Sequence, residues 1–280
     1  MKRNWKTGLL LAAAVLTLWI LWSNTVLEVN EYTVTSYHLP DAFDGFRIAH
    51  VSDLHNAEFG DNNTLLLGLL RQSWPDIIVI TGDLVDSRHT NLEIALRFAE
   101  EAAEIAPCYY VSGNHESRIS EYPALKSGLK AVGVTVLENE RLALERNGKT
   151  ITLIGVDDPS FRTDYLFEDS AAVMADVLQD LVAEDSYTIL LSHRPELFDT
   201  YAKSGVDLVF SGHAHGGQFR LPFLGGLVAP NQGPFPEYDA GLYTEGRTNM
   251  LVSRGIGNSI IPIRINNRPE ILVVSLHSEH

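Results

Sequence analysis

The strongest constraint on the fold of this chain is a series of short polar motifs, each of which ends an apolar run. The motifs are Ser52-Asp53-Leu54-His55, Gly82-Asp83-Leu84-Val85-Asp86, Gly113-Asn114-His115-Glu116, Ser192-His193-Arg194 and Gly212-His213-Ala214-His215-Gly216. The apolar runs before the first three motifs are short and rich in β-branched or aromatic residues, which predicts buried strands. The chain therefore consists of strands whose ends carry polar groups.

Between the first three predicted strands, apolar residues recur at the spacing of a helix. Predicted strands at 46–51, 76–81 and 108–111 alternate with predicted helices at 63–71 and 92–105. This order predicts a parallel sheet with right-handed crossovers. Further helices are predicted at 122–132 and 171–182, and further strands at 134–137, 142–144, 150–156, 188–191, 206–210, 250–252, 261–265 and 271–276. The segment 30–45 is a polar entry segment that ends at the turn signal Asp44-Gly45. We predict one α/β domain with two sheets.

An apolar segment at 8–22 follows basic residues that include Lys2 and Arg3. Its length is close to the roughly 17–25 residues of a membrane helix. Because positive charge favours the cytoplasmic side, we predict a single-pass cell-membrane anchor over 1–29 and an extracytoplasmic domain over 30–280. The same segment also fits a signal peptide, whose cleavage would release a secreted protein, or a buried amphiphilic helix.

Composition narrows the range of partners. Of the 280 residues, 45% are hydrophobic, which is enough for a packed core. The formal net charge is −15, so we expect no nucleic acid to bind through a general basic surface. Cys108 is the only cysteine, which excludes an intrachain disulfide. No feature of the sequence indicates an obligate protein partner.

The polar motifs predict a metal centre. Asp53, Asp83 and Asn114 each follow a predicted strand, and ligand sites in α/β sheets lie beyond the carboxyl ends of the strands. His213 and His215 are two residues apart and can point the same way. Carboxylate, imidazole and amide ligands without a thiolate suit Mn²⁺, Zn²⁺ or Fe²⁺. The sequence therefore predicts two divalent cations held close together, an arrangement that hydrolyses phosphate esters.

Taken together, the five motifs resemble those of calcineurin-like metallophosphoesterases. The similarity is closest to the membrane-anchored or secreted bacterial branch that includes UDP-diacylglucosamine hydrolase-like enzymes. It runs from about residue 44 to the end and takes in Ser253-Arg254-Gly255-Ile256-Gly257 and Arg268-Pro269-Glu270. The resemblance implies a four-layer α/β fold, in which a two-sheet β-sandwich is flanked by helices.

The resemblance also implies how the metals are bound. One cation would be held by Asp53, His55, Asp83 and His215, and the other by Asp83, Asn114, His193 and His213. Asp83 would bridge the two, because one carboxylate can give an oxygen to each cation. A hydroxide between the cations would attack phosphorus, so no protein nucleophile is needed.

Other residues near the ligands are expected to have roles besides metal binding. His115 matches the family position that contacts the scissile phosphate and can protonate the leaving oxygen. Glu116 stands where the family often has Asp, and either residue could orient the imidazole. Asp86 is expected to support the ligands or the loop. Arg118 is a candidate for binding a phosphate oxygen, and Arg194 is a weaker one.

The segment 219–236 follows the last motif and mixes apolar residues with Gly and Pro. It is either an inward-packed hairpin, or an apolar rim that receives a lipid tail or dips into the bilayer. Two further histidines are not expected to bind metal. His50 should be packed in the first strand, and His89 should be a solvated loop residue.

The resemblance implies an enzyme that hydrolyses a phosphodiester or pyrophosphate bond, with a lipid or nucleotide-lipid as the favoured substrate. A phosphomonoesterase on the same site is the alternative among enzymes. A non-catalytic metal-binding scaffold on the same fold is the alternative from another class. Such a scaffold would lack ligands or the motif histidine, whereas this chain has His115 and every expected ligand.

Overall fold

The computed structural model describes residues 5–162, 169–183 and 185–279. The helices are α1 (Trp5–Thr25), α2 (Thr64–Gln72), α3 (Leu92–Ala103), α4 (Tyr122–Ala131), α5 (Ser170–Leu181) and α6 (Phe198–Ser204). The strands are β1 (Glu28–Ser36), β2 (Arg47–Val51), β3 (Ile77–Thr81), β4 (Cys108–Val111), β5 (Thr135–Val136), β6 (Glu140–Arg146), β7 (Lys149–Gly155), β8 (Thr188–Leu191), β9 (Leu208–Ser211), β10 (Arg220–Leu221), β11 (Gly225–Gly226), β12 (Val228–Ala229), β13 (Gly233–Pro234), β14 (Gly241–Glu245), β15 (Thr248–Val252) and β16 (Glu270–Ser278). Lys2 and Arg3, on which the predicted membrane orientation depends, lie outside the described residues.

Two mixed six-stranded sheets form the framework. The first has the order β1-β16-β2-β3-β4-β5 and the second β14-β15-β9-β8-β7-β6. β2, β3 and β4 are parallel neighbours, as predicted, and β7, β8 and β9 form a parallel set in the second sheet. The sheets pack face to face, with α2, α3 and α4 on the outer side of the first and α5 and α6 on the outer side of the second. The predicted four-layer α/β sandwich is confirmed.

Alternation along the central strand β3 builds a core on each side of the first sheet. Ile77 and Val79 join the cluster between the two sheets, whereas Ile78 and Ile80 face the outer helices. All four are buried, and each burial contributes roughly 1.5–3 kcal/mol. Successive side chains point to opposite faces, so a strand covered on both sides needs a continuous apolar run. This core fixes the strand end, and with it Asp83.

The segment 30–45, in which we predicted no strand, contains most of β1. β1 pairs in parallel with β16, from Glu28↔Glu270 to Ser36↔Ser278. It is an edge strand in which Val34 alone is buried, so it lacks the apolar alternation that predicts strands. β1 begins inside the segment predicted as the anchor.

The predicted strand at 261–265 is wrong. The structure gives this segment an isolated bridge between Ile265 and Phe219 in place of a strand. Pro262 lacks the N–H that a central strand needs. The side-chain amide of Gln218 instead donates to two carbonyl groups of the segment, each at 2.8 Å.

α1 is long and apolar enough to cross a membrane, judged by its length and composition. Its 21 residues span about 31 Å, close to the roughly 30 Å of a hydrocarbon core. Its side chains are mostly exposed as far as Trp22, and burial against the domain begins at Ser23. α1 is therefore apolar along a surface that the domain leaves uncovered.

Candidate metal centre

The polar motifs of the two sheets meet at one edge of the sandwich. Asp53, Asp83 and Asn114 follow β2, β3 and β4 of the first sheet, while His193 and His213 follow β8 and β9 of the second. The carboxyl ends of parallel strands lie at the same edge of a sheet, and face-to-face packing brings the two edges together. All seven predicted ligands are buried.

Asp53, His55 and His215 form a first cluster, with one ligand atom of each within 4.8 Å of the others. The Nε2 atoms of His55 and His215 are 3.1 Å apart. Asp53 Oδ1 lies 3.3 Å from His215 Nε2 and 3.8 Å from His55 Nε2. Two imidazole nitrogens that face each other beside a carboxylate can share a positive ion between them.

Asp83, His193 and His213 form a second cluster. Asp83 Oδ2 lies 3.3 Å from His193 Nε2 and 3.6 Å from His55 Nε2, which belongs to the first cluster. His213 Nδ1 is 3.2 Å from His193 Nε2. One carboxylate oxygen therefore faces an imidazole of each cluster.

Asn114 lies in the loop that follows β4. The backbone N–H of His115, the following residue, donates to Asp83 Oδ1 at 2.8 Å. Asn114 Oδ1 is buried and accepts no hydrogen bond from the residues that the structure describes. A buried oxygen without a donor costs about 1–3 kcal/mol, and a cation would satisfy it.

Contacts outside the clusters decide which imidazole nitrogen faces inward. His193 Nδ1 lies 2.7 Å from the carbonyl oxygen of Thr81, so Nδ1 carries the proton and Nε2 keeps its lone pair for a cation. His213 has the opposite orientation, with Nε2 at 3.1 Å from Asn231 Oδ1 and Nδ1 inward. A hydrogen bond on the outer nitrogen is the usual arrangement of a metal-binding histidine.

The electrostatics of the clusters favour a cation. Burial by itself lowers the pKa of His193, but the nearby carboxylate of Asp83 outweighs it and raises the pKa to about 10. Burial and the Arg194 guanidinium hold the pKa of His213 well below its usual range. The carboxylates thus draw positive charge into the site, and a divalent cation would supply that charge in place of a proton.

The ligand loops adopt an uncommon backbone conformation. Asp53, His55, Asp83, His213 and His215 all have φ between 45° and 65°, which non-glycine residues rarely adopt. Each such residue costs on the order of 1–3 kcal/mol and persists only where its surroundings enforce it. Backbone strain of this kind is concentrated at functional sites.

Two motif glycines let these loops approach each other. A Cβ atom on Gly113 would lie 2.3 Å from Asp83 Oδ1. A Cβ atom on Gly212 would lie 1.9 Å from Ser52 Oγ. Because no side chain fits at either position, glycine is required at Gly113 for two loops of the first sheet to meet, and at Gly212 for the two sheets to meet.

His115 lies beside the first cluster, with its ring centroid 4.5 Å from that of His55. Its Nδ1 accepts a hydrogen bond from the backbone N–H of Ser87 at 3.0 Å, so the neutral ring carries its proton on Nε2. Burial lowers the pKa of His115 to about 4. Nε2 lies 3.4 Å from Ser259 Oγ. His115 is thus a neutral N–H donor next to the metal-binding groups.

Glu116 binds backbone amides, whereas we expected it to orient the imidazole of His115. Its carboxylate accepts from the N–H groups of Asp83 and Gly113, each at 2.8 Å, and of Val85 at 3.3 Å. Glu116 is fully buried, and burial together with the Asp83 charge raises its pKa to about 7. It therefore joins the loops that follow β3 and β4.

We expect Glu116→Ala to lower the free energy of unfolding by about 3 kcal/mol or more, because three buried N–H groups lose their acceptor at roughly 1–3 kcal/mol each. Relief of the repulsion between Glu116 and Asp83 offsets only part of this cost. Urea unfolding in detergent with a chelator measures the effect without metal. The exposed Glu145→Ala is the control and should change stability by less than about 0.5 kcal/mol. Equal stability of the two variants would contradict this role.

Asp86 lies 3.8 Å from His115 Nδ1, and its carboxylate accepts three hydrogen bonds from Arg88 at 2.6–3.0 Å. It therefore shapes the loop beside His115. Arg118 is exposed in the 3-10 turn that follows His115. His50 is packed in β2 as expected, and His89 is exposed.

The guanidinium of Arg194 is bound to a carboxylate and is therefore not available to bind a phosphate. Its guanidinium donates to Asp158 at 2.5 and 2.8 Å. Its Nη1 atom lies 3.1 Å from both His213 Nε2 and Asn231 Oδ1.

Three residues that contact the site were not predicted from the sequence. They are Asn231, Ser87 and Ser259, which lie in loops with no recognisable motif.

Buried carboxylates and imidazoles in two adjoining clusters, at the joined edges of a two-sheet sandwich, form a site of the kind that metal-dependent hydrolases use. A sequence profile of the calcineurin-like phosphoesterase family matches residues 46–217, which include all five motifs. The chain belongs to this family, and it is a metal-dependent hydrolase that acts on phosphoric esters.

Individual relatives agree with this assignment. The chain is 34% identical over 262 residues to the uncharacterized metallophosphoesterase YkuE of Bacillus subtilis, a match that covers 90% of this chain and 86% of the other. It is 27% identical over 245 residues to the phosphodiesterase YaeI of Escherichia coli, with 82% of each chain covered. The fold is similar to that of the crystal structure of TT1561 from Thermus thermophilus, with a TM-score of 0.50 and 15% sequence identity. The match covers 75% of this chain and 90% of the other.

Proposed function

We propose that two divalent cations bind at the two clusters and share Asp83. Asp53, His55 and His215 complete one site, and Asn114, His193 and His213 complete the other. The observation that carries this proposal is the position of Asp83 Oδ2, which lies 3.6 Å and 3.3 Å from one imidazole of each cluster. Oxygen and nitrogen ligands of this kind suit Mn²⁺, Zn²⁺ or Fe²⁺.

Such a pair of cations, when bound, polarises phosphoryl oxygens and lowers the pKa of a water between them. The protein contributes a fixed hydrogen-bond donor, because Ser87 keeps Nδ1 of His115 unprotonated and leaves the proton on Nε2. We propose that Nε2–H of His115 donates to the oxygen on which charge develops during cleavage. A neutral donor fixed in a buried site needs little reorganisation during the reaction.

For the substrate, we propose a phosphodiester or pyrophosphate, with a lipid or nucleotide-lipid as the favoured class. A monoester carries about two negative charges and calls for more cationic partners. The two arginines at the back of the clusters are committed elsewhere, Arg194 to Asp158 and Arg264 to backbone carbonyls. The name of the Escherichia coli relative, a phosphodiesterase, points the same way.

For the location, we propose that α1 spans the cell membrane and that the domain lies on the extracytoplasmic side. The basic residues Lys2, Arg3 and Lys6 precede the apolar span, and positive flanks stay in the cytoplasm. A secreted form after cleavage of the same segment is the alternative that N-terminal sequencing of the mature protein would reveal.

The full chain in detergent, loaded with Mn²⁺, should hydrolyse bis-nitrophenyl phosphate at least about tenfold faster than nitrophenyl phosphate, because Arg194 and Arg264 are bound to protein groups and do not offer their charge to a dianion. Lipid phosphodiesters and UDP-linked lipids belong in the same panel, with chelator-treated protein as the blank. A preference for the monoester would assign the phosphomonoesterase alternative. Bound metal without any turnover would favour the scaffold.

A further inference from the structure

The end of α1 is fixed to the domain by directed contacts. Asn24 Nδ2 donates to the carbonyl oxygen of Arg264 at 2.9 Å, and Asn24 Oδ1 accepts from the Arg264 backbone N–H at 2.9 Å. The guanidinium of Arg268 lies 4.7 Å from the ring centre of Trp22 and donates to two carbonyls just after the helix. The helix therefore leaves the domain in a defined direction.

The loop that holds Asn24 also reaches along the apolar part of the helix. Ile265 lines one groove together with Leu11, Ala12, Val15, Leu16 and Trp19. These helix residues belong to the span that would lie in hydrocarbon, so Ile265 reaches the membrane level. The carbonyl oxygen of Ile265 accepts from the N–H of Arg220 at 3.0 Å, which brings the β10–β11 hairpin to the same level.

Both segments carry exposed apolar side chains. We call them the apolar rim, and its members are Leu221, Phe223, Leu224, Ile260 and Ile263. Phe223, at the hairpin turn, is fully exposed, and Ile260 is 74% exposed. Neither 221–226 nor 259–263 contains a charged residue, although the chain has a net charge of −15. Uncharged segments with several large exposed apolar side chains on such an acidic protein indicate a binding face.

We propose that the apolar rim inserts into the lipid bilayer beside α1 and sets the metal centre at the membrane surface. We assign lipid as the occupant, because Ile265, which lies between the two rim segments and α1, lines a groove with the apolar residues of a helix whose outer surface needs lipid as well. Moving each large apolar side chain out of water contributes about 1.5–3 kcal/mol. This proposal rests on the proposed membrane placement of α1.

The rim is also joined to the metal centre. Ser259, where the uncharged loop begins, lies 3.4 Å from Nε2 of His115. Gln218, three residues after His215, holds the carbonyls of Ile261 and Ile263. Insertion of the rim therefore places the reacting phosphate at headgroup depth, so that a membrane-embedded substrate reaches the site without leaving the bilayer.

Single-cysteine labelling tests the proposal on the full chain in phosphatidylethanolamine–phosphatidylglycerol nanodiscs. Cys108 is buried, so an environment-sensitive maleimide dye reports on Phe223→Cys or Ile260→Cys. The matched control is Tyr37→Cys, which is 74% exposed and lies just beyond the end of β1, about 30 Å along the strand from α1. Leu11→Cys reports on the helix itself.

Dyes at positions 223 and 260 should be quenched by nitroxide on lipid acyl chains. Aqueous iodide should quench them about tenfold less than it quenches the dye at position 37, because hydrocarbon excludes ions. Rim dyes that respond to iodide like the control overturn the proposal, provided that the Leu11 dye is lipid-quenched. If the dye at position 11 is itself quenched by iodide and not by lipid, the proposed membrane placement of α1 is overturned instead. A second copy of the chain bound to the rim would protect the rim dyes from iodide without quenching by lipid. If this protection disappears when each disc holds one chain, the rim binds a second copy and insertion is refuted.

Discussion

Replacement of Asp83 by asparagine should lower the rate of diester hydrolysis by at least about 10³-fold, a loss of several kcal/mol of transition-state stabilisation. The same change should reduce the bound metal from two ions per chain. Asp83 Oδ2 faces both clusters, at 3.6 and 3.3 Å from an imidazole of each. Asparagine keeps the shape and one oxygen acceptor for the His115 N–H, but it removes the charge that both cations would share.

Metal content after gel filtration and kcat/KM on bis-nitrophenyl phosphate measure this effect. The matched control is Asp185→Asn, because Asp185 is an exposed aspartate and the change has the same chemistry. Near-UV circular dichroism confirms that the variants are folded. An Asp83→Asn protein that retains two ions and a rate near that of the parent would rule out a shared ligand.

Replacement of His115 by alanine should lower kcat by about 10²–10³-fold, the usual loss for one fixed hydrogen-bond donor, while the metal content stays unchanged. The neutral imidazole has its proton on Nε2, because its Nδ1 accepts from the Ser87 N–H. Such a ring stabilises developing charge by hydrogen bonding. The loss should therefore be similar for a nitrophenolate and for an alkoxide leaving group.

Ser87→Ala provides the control for His115. It removes the Oγ contact at 3.1 Å but keeps the backbone N–H that fixes the tautomer, so a loss below about tenfold is expected. A much larger loss of His115→Ala on the alkoxide substrate alone would make His115 a proton donor to the leaving group. Loss of metal from the same variant would make it a ligand.

The sequence was sufficient to predict the site where a local apolar pattern also determines the position of a residue in the fold. The apolar run of β3 is covered on both faces, so it predicts the strand, and a strand end of a parallel sheet predicts where Asp83 lies. The same reasoning placed Asp53 and Asn114. Convergence of the histidines from the second sheet depended on the family resemblance, because packing of two sheets is not visible in local periodicity.

The features that the sequence did not predict depend on contacts between distant residues. β1 is stabilised by pairing with β16, although only Val34 in it is buried. The carboxylate of Glu116 could bind an imidazole or amides, and the three-dimensional loops decide for amides. Asn231 contacts His213 across a loop of irregular structure, which no spacing rule describes.

The parallel pairing of β1 with β16 orders the events of biosynthesis. α1 is translated first and can enter a membrane at once, but β1 has no partner until residues 270–278 leave the ribosome. Closing a loop of this length is slow compared with local folding. The first sheet is therefore completed last, and β2 exposes an open edge until then. A chain that stops before β16 would keep that edge, which is a template for pairing with other nascent chains.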